Sequence, residues 1–475
     1  VSRVFLIASN TTIEPYPVYP LGMAVIASAL AAAGHEVRQF DFLAEGQSGE
    51  ALAEALRAFD PDLVGLSLRN VDNVDSFSGE TGWYLDTSRR LAGIARDSTS
   101  APLVIGGAAF SLMPEEMLDY LGADYGIVGE GERAVCALAD AIKSNPPARG
   151  IRGEAVPLSG EEMPSPLLEA NLAAYYLNQS GMLNIQTKRG CPHRCAYCCY
   201  PHLEGRRFRA RPPAAVAEDL ERMIRDLNAR HYFFADGVFN DDEEQYLEVA
   251  EEICRRKLSI RWCGYFRPKG LGRSQLDLLK RSGLYALELG TDAASDATLD
   301  ALQKDFCFGD VLEVTRACRD AELPCAHFIM FGGPGENSRT LAEGLANIEG
   351  LGSCMVFGFS GIRILPHTAV YAIAIHEGVL GKEDSLLKPV YYFSPAIDRE
   401  AMNAAILKAF NGRRDRIFPP SDMKVWFSVL HRLGQRGILW DLILQHGGAN
   451  RRKASPPSGM PLAGPNDGSD PKDPF

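Results

Sequence analysis

The first 135 residues contain no cysteine, although the chain of 475 residues has 11 in all. No thiolate-held metal cluster can be built there. Basic excess is missing too: 49 Lys and Arg stand against 61 Asp and Glu, a formal net charge of −12. That balance lacks the basic face a duplex or tRNA partner needs, so no nucleic-acid substrate is expected. No apolar run reaches the ~20 residues of a membrane span. Val4-Phe5-Leu6-Ile7-Ala8 is too short for a signal-peptide core and has only Arg3 before it. Cysteines this sparse make no disulfide framework and fit a reducing compartment, so a cytoplasmic protein is expected. The dinucleotide fingerprint G-x-G-x-x-G is also missing, since Ser9-Asn10-Thr11-Thr12 follows the first apolar run. What is present is ordinary globular material, 46% hydrophobic and 23% charged, enough for two or three domains with their own cores.

Against that background one stretch stands out: Cys191-Pro192-His193-Arg194-Cys195-Ala196-Tyr197-Cys198, just after the apolar Met182-Leu183-Asn184-Ile185. Three thiols at i, i+4 and i+7 in a Gly-, Pro- and Arg-rich loop can meet at one metal centre. Iron–sulfur clusters usually take four Cys ligands. Three leave one iron open for a non-protein ligand, as an open position marks a catalytic zinc. A zinc knuckle would repeat C-x-x-C or add a spaced His pair, and neither is nearby. A disulfide pair and buried thiols are the remaining plain readings.

The spacing C-x-x-x-C-x-aromatic-C, with Tyr197 at the aromatic position, resembles the signature of the radical SAM enzymes. The resemblance implies a [4Fe-4S] cluster on Cys191, Cys195 and Cys198, with the adjacent Cys199 left out. It further implies that the open iron binds S-adenosylmethionine, whose reductive cleavage gives a 5′-deoxyadenosyl radical. The flanking Gln186-Thr187-Lys188-Arg189-Gly190 and Tyr200-Pro201-His202-Leu203-Glu204-Gly205 resemble the subgroup with a cobalamin-binding domain in front. The likeness extends over about residues 1–370.

The N-terminal part reads as strands alternating with helices. The strands are Val4–Ala8, Val37–Phe40, Leu63–Leu66, Pro102–Ile105 and Tyr125–Val128, with an Ala-rich helix from Tyr19-Pro20-Leu21-Gly22 to Ala33. This pattern predicts an α/β, doubly wound (Rossmann-like) parallel sheet over 1–142, with its ligand above the carboxyl ends of the strands. Those ends carry small or polar residues: Ser67, Arg69, Asn70, Gly106, Gly107, Gly129, Glu130 and Gly131. A regulatory module is one reading of such a crevice. Cobalamin is what the resemblance implies, held by these residues. The D-x-H-x-x-G of cobalamin-dependent methyltransferases is missing, and the only His of the region is His35 in Gly34-His35-Glu36. Cobalamin without a protein His ligand is therefore expected, its lower face covered by the Ser67–Asn73 loop. The plain alternative pairs Arg69 with Asp72 as a solvated surface ion pair. Methylthiotransferases share the domain order but carry cysteines in the first domain, so that family is set aside.

Residues 143–180, with Asn145-Pro146-Pro147 and Pro164-Ser165-Pro166, read as a surface linker. Six strand–helix units follow, with strands Leu183–Thr187, Tyr232–Ala235, Ser259–Cys263, Leu284–Leu289, Cys325–Phe331 and Phe357–Ile364. They predict a partial (β/α)6 barrel over 181–370 with its chemistry at the strand ends. The resemblance implies that Asp236 accepts the S-adenosylmethionine amine, although the family often has Gly-Gly-Glu there. It implies that Asp292 bonds the ribose, that Lys304 reaches the carboxylate, and that Gly332 and Gly333 lie near adenine. Arg363 reads as a substrate anchor or a residue at the rim of the core. Arg206, Arg207, Arg209 and Arg211 read as a solvated basic face or an anion-binding rim. Residues 371–450 read as a small, mostly helical subdomain, with Met402–Phe410 and Lys424–Leu433 as helices, and 451–475 as a disordered tail.

The resemblance implies a cobalamin-dependent radical SAM methyltransferase with two uses of S-adenosylmethionine. One molecule methylates cobalamin and another yields the radical that opens a carbon, or a phosphinate phosphorus, of a small-molecule or peptide natural-product precursor. An external electron donor of flavodoxin or ferredoxin type is implied as partner. The alternatives are a non-methylating cyclase, ring-contracting or lipid-modifying relative, and a cobalamin-bearing sensor.

Overall fold

The computed structural model describes residues 1–447 except 14, 78–82, 155, 424–426, 428 and 431–432. The expected tail and most of the expected helix Lys424–Leu433 lie outside the described residues.

The first sheet holds β1 (Arg3–Ala8), β2 (Glu36–Asp41), β3 (Leu63–Ser67), β4 (Leu103–Gly106), β5 (Tyr125–Val128) and β6 (Gly150–Gly153). All neighbours pair parallel, in the order β2-β1-β3-β4-β5-β6. The inner strands are continuous apolar runs because helices cover both faces. On one of those helices, Gly49–Phe59, the Ser48 side chain caps the Ala51 N–H. The order reverses between β1 and β3, which opens a crevice at the carboxyl ends of the strands. β6 lies within the stretch expected to be only linker. Its sequence Gly-Ile-Arg-Gly has no apolar run, and its place comes from edge pairing with β5, Val128 to Gly153. The helix Ala170–Gln179, also in that stretch, buries Leu172, Ala173 and Tyr176 but starts without a side-chain cap, so its start carries no signal.

The second sheet begins at β7 (Met182–Ile185). β8 (Lys188–Arg189) and β9 (Arg209–Ala210) form a short antiparallel clasp around the cysteine loop. Then come β10 (His231–Phe234), β11 (Arg261–Phe266), β12 (Leu287–Asp292), β13 (Cys325–Phe331) and β14 (Met355–Ser360). β15 (Ile362–Arg363) pairs antiparallel with β16 (Tyr391–Tyr392), and β17 (Arg416–Ile417) ends the series. The parallel order is β17-β14-β13-β12-β11-β10-β7, an open barrel. Two expectations are corrected. The sixth strand stops at Gly361, whose φ of +74° turns β15 away. A seventh strand, β17, comes from the segment expected to be mostly helical; two residues are too short to show as a run, and pairing with Val356 and Phe357 makes the strand.

Alternate residues of the barrel strands point inward. Met182, Phe233, Cys263, Ala286, Ala326 and Met355 pack there against Ile438, Leu439 and Trp440, which close the bottom.

Candidate active site

The cysteine loop hangs from backbone contacts on both sides. The Cys191 N–H donates to the Gly205 carbonyl at 3.0 Å and the Ala196 N–H to the Leu302 carbonyl at 2.9 Å. Gly190 sits at φ +86°, and a Cβ there would stand 2.0 Å from the Arg207 carbonyl oxygen, so only glycine fits. Burial pushes the Cys191 and Cys198 thiols up, and neighbouring thiols add to the rise in both. The three side chains therefore sit within electrostatic reach of one another. Among the described residues no three His, Cys, Asp or Glu side chains converge on a single-ion site. A cluster asks something else, one thiolate for each of three irons.

Beside this loop stand Asp292 and Lys304. β12 loses its register between Leu289 and Asp292, and Asp292 takes a left-handed φ of +65°. That bulge aims its carboxylate at the loop. Tyr197 donates its hydroxyl proton to Asp292 Oδ2 at 2.6 Å, and Lys304 Nζ bonds both Asp292 Oδ2 and Cys195 Sγ, the latter at 3.3 Å. Burial works against the Lys304 ammonium, but Asp292 and Cys195 hold it charged, above its ordinary range. Lys304, Asp292 and the cysteine loop are thus one ionic unit.

Asp236 is directed elsewhere than expected. It is fully buried, and its carboxylate accepts from the Thr187 N–H at 2.7 Å, the Lys188 N–H at 3.2 Å and the Thr187 hydroxyl. Burial pushes it up, opposed by the Lys188 charge and the Thr187 bonds. Its oxygens tie the end of β10 to the strand that leads into the cysteine loop, so it positions that loop and is not free for an amine. Gly332 and Gly333 are also close-packed. A Cβ on Gly332 would meet Phe393 at 3.0 Å and one on Gly333 would meet Ile362 at 2.9 Å. Glu336 Oε2 accepts from the Gly332 N–H at 3.3 Å and fixes the turn.

A cavity of about 440 Å³ lies between the two sheets. Its deep arm is apolar, lined by Met23, Val25, Ile26, Ile105 and Val135, and its mouth is polar. Ser67, Arg69, Gly106, Gly107, Gly129, Glu130 and Gly131 line it, whereas Asn70 is exposed and does not. A Cβ built on Gly129, at φ +74°, meets no atom within 4 Å, so the missing side chain leaves open space. The buried Asn10 Nδ2 in the wall has no partner among the described residues. An apolar slot under a polar rim, with glycine backbone and an unspent amide, fits a large flat amphiphile such as cobalamin. No histidine lines it among the described residues. His35 lies elsewhere, its Nδ1 accepting from the Ser2 N–H at 3.3 Å. From the barrel side Asn184, Gln186, Tyr200, Phe233 and Tyr265 complete the wall.

The domains are joined by half-buried and buried ion pairs that the sequence did not announce. Arg209 forks onto Glu130, at 2.7 Å and 3.1 Å, and also donates to the Glu204 carbonyl. Arg189 bonds Glu130 at 3.2 Å and Glu132 at 2.7 Å. Against the upward push of burial, Arg209 and Arg189 hold the Glu130 carboxyl below its ordinary range. Asp72 pairs with Arg363 at 2.7 Å, both nearly inaccessible. The alternative Arg69–Asp72 pair does not form among the described residues, and Arg69 lines the cavity. Of the four-arginine run, Arg209 and Arg211 are internal clamps, the latter on Asp219 at 2.6 Å, while Arg206 and Arg207 are exposed. The signal for such clamps lay in acids and arginines distributed over two domains, which spacing along one segment cannot pair.

Comparison with known proteins follows the same division. The model of the B12 binding domain matches residues 14–139, and that of the Radical SAM superfamily residues 185–345. The chain is 25% identical to the tryptophan 2-C-methyltransferase of Streptomyces laurentii, over 74% of this chain and 71% of that one. It is 23% identical to the cytidylyl-2-hydroxyethylphosphonate methyltransferase of Streptomyces wedmorensis, over 87% and 89%. Among solved structures, the radical S-adenosylmethionine methyltransferase TsrM from Kitasatospora setae, with cobalamin and a [4Fe-4S] cluster bound, superposes with a TM-score of 0.82 at 24% identity, covering 95% of this chain and 98% of that one.

Proposed function

The chain is a cobalamin-dependent radical SAM enzyme, and on that premise we propose that it transfers a methyl group from S-adenosylmethionine to a small-molecule or peptide natural-product precursor. One observation carries the reading: a single cavity has the strand ends of the first sheet as one wall and the barrel interior, beside the cysteine loop, as the other. The names of its methyltransferase relatives point the same way. The bound cofactors supply a one-electron reductant, a radical source and a transferable methyl group.

The chain's residues hold and orient. Cys191, Cys195 and Cys198 hold the cluster. Asp292 and Lys304 hold S-adenosylmethionine next to Cys195, the acid for hydroxyl or ammonium groups and the ammonium for a carboxylate. Asp236 sets the loop through Thr187 and Lys188. Arg69, always charged and without a lone pair to give, lines the cavity where it would contact bound cobalamin without serving as a metal ligand. The apolar barrel wall excludes water from the reacting carbon.

The test needs no substrate at first. Given reductant and S-adenosylmethionine alone, the holoenzyme should form about one S-adenosylhomocysteine per cobalamin. With substrate, 5′-deoxyadenosine should appear alongside it. Formation of 5′-deoxyadenosine with no S-adenosylhomocysteine at any stage would sink methyl transfer. It would favour a non-methylating role such as that of the anaerobic magnesium-protoporphyrin IX monomethyl ester cyclase of Cereibacter sphaeroides, 25% identical over 68% of this chain and 55% of that one.

A further inference from the structure

One carboxylate stands between the two cofactor sites. Glu204 follows the one-turn helix Tyr200–Leu203, which runs on from the cysteine loop. It is half-buried and lines the cavity between the sheets. On its other side, Oε2 accepts the Gly190 N–H at 3.0 Å, one residue before Cys191. The Gly190 position admits no side chain, so this bond fixes where the loop begins. The Cys191 N–H then donates to the carbonyl of Gly205, the residue after Glu204. Glu204 and its neighbour thus hold the backbone that carries the first cluster ligand.

The same carboxylate belongs to the cavity wall. Its Oε1 accepts from Gln186 Nε2 at 3.4 Å, and Gln186 Oε1 accepts from Arg189 Nε at 3.1 Å. Gln186, Arg189 and Glu130, the acid that Arg189 reaches, all line the cavity. Among the described residues the Glu204 side chain makes those two hydrogen bonds, from Gly190 and from Gln186. A carboxylate has about four lone-pair sites, so acceptor capacity is left over at the cavity. Cobalamin carries primary amides around its corrin ring, and an amide N–H is the donor that such an oxygen takes.

We propose that Glu204 is a positioning residue shared by the two cofactors. An amide N–H of bound cobalamin takes the free lone pair and holds the carboxylate against Gly190, and through Gly190 holds Cys191. Filling the cavity therefore steadies the cluster loop, and a loop already closed on a cluster presents Glu204 to cobalamin. By linkage the two effects are one quantity: cluster and cobalamin raise each other's affinity by the same factor. The proposal takes from the preceding reading only that these residues hold a cluster and cobalamin, and it needs no methyl transfer.

Calorimetric titration of the full chain with hydroxocobalamin, after anaerobic reconstitution with iron and sulfide, measures that factor. Cys195→Ala is the cluster-free reference, because Cys195 does not line the cavity and its loss removes no wall residue. The native protein should bind hydroxocobalamin about 5- to 50-fold more tightly than Cys195→Ala. In the Glu204→Ala background the proteins with and without Cys195 should bind alike, which closes a double-mutant cycle. Glu204→Gln, with one acceptor oxygen in place of two, should keep a smaller difference, and it carries the test if Glu204→Ala does not fold. A merely structural role would lower affinity in every protein and leave its dependence on the cluster intact. Equal binding by the native protein and Cys195→Ala, a difference that survives in Glu204→Ala, or one undiminished in Glu204→Gln would overturn the proposal. No S-adenosylmethionine is present, so failure here and failure of the methyl-transfer reading are read separately.

Discussion

Glu130, half-buried in the seam between the domains, and Glu288, buried in the barrel interior, titrate in opposite directions. Glu130 is held below its ordinary range by two arginines, and Glu288 is pushed above it by burial alone. An acid that the fold has paired is a fastener. An acid that the fold has buried without a charged partner favours its protonated form. In the first case the folded state prefers the anion, so the stabilisation is present above the ordinary carboxyl range and is lost as pH falls. In the second the folded state prefers the proton, so stability falls as pH rises from about 4.5 to about 7 and stays lost above.

The largest expected effect lies where the two regions meet, at the cysteine loop that hangs from the seam and faces the interior. Cys195→Ala should lose the cluster on reconstitution, read as iron, sulfide and visible absorbance, whereas Cys199→Ala should keep it. A full cluster in Cys195→Ala would remove the loop from its assigned role. Next comes the seam itself. Arg363→Ala leaves Asp72 buried and unpaired and should cost about 3–5 kcal/mol of stability by chemical denaturation, with Arg363→Lys intermediate. A neutral result would mean that the seam's ion pairs are idle and the contrast with Glu288 is empty.

Smaller, and of the opposite sign, is the interior. Glu288→Gln should match the native protein near pH 5 and exceed it near pH 8 by on the order of 2 kcal/mol, since the variant carries no proton to lose. A variant less stable than the native protein at both pH values would show that Glu288 is a fastener as well. The mildest effect belongs to Asp236→Asn. An amide oxygen cannot take all three bonds from Thr187 and Lys188, so about 1 kcal/mol of stability should go while iron content stays near native. Loss of the cluster in this variant would make Asp236 more than a positioning residue.

These contrasts mark what the sequence could and could not tell. Both parallel sheets were legible, because buried strands such as Val4–Ala8 and Cys325–Phe331 are unbroken apolar runs between turn residues. β6 and β17 were not: Gly150–Gly153 and Arg416–Ile417 are strands only because a neighbour pairs with them. The cysteine loop was legible because its three spaced thiols lie within eight residues of one another. Partners far apart in sequence were not. Asp72 finds Arg363 and Glu130 finds Arg209 only after the domains dock. Asp236 shows a third limit, since position at a strand end fixes where a carboxylate is but not which way it turns.

The Arg209 clamp also bears on the order in which the protein is put together. One guanidinium holds Glu130 of the first domain, the Leu158 carbonyl of the connector and the Glu204 carbonyl beside the cysteines. With Asp72 and Arg363 locked as well, the two walls of the cavity are pinned to each other, and spreading them apart needs all of these contacts to release. Where cobalamin entry requires that spreading, uptake by the finished protein should be slow, independent of cobalamin concentration once that is high, and faster in mild denaturant; fast uptake proportional to cobalamin concentration would show that the mouth suffices.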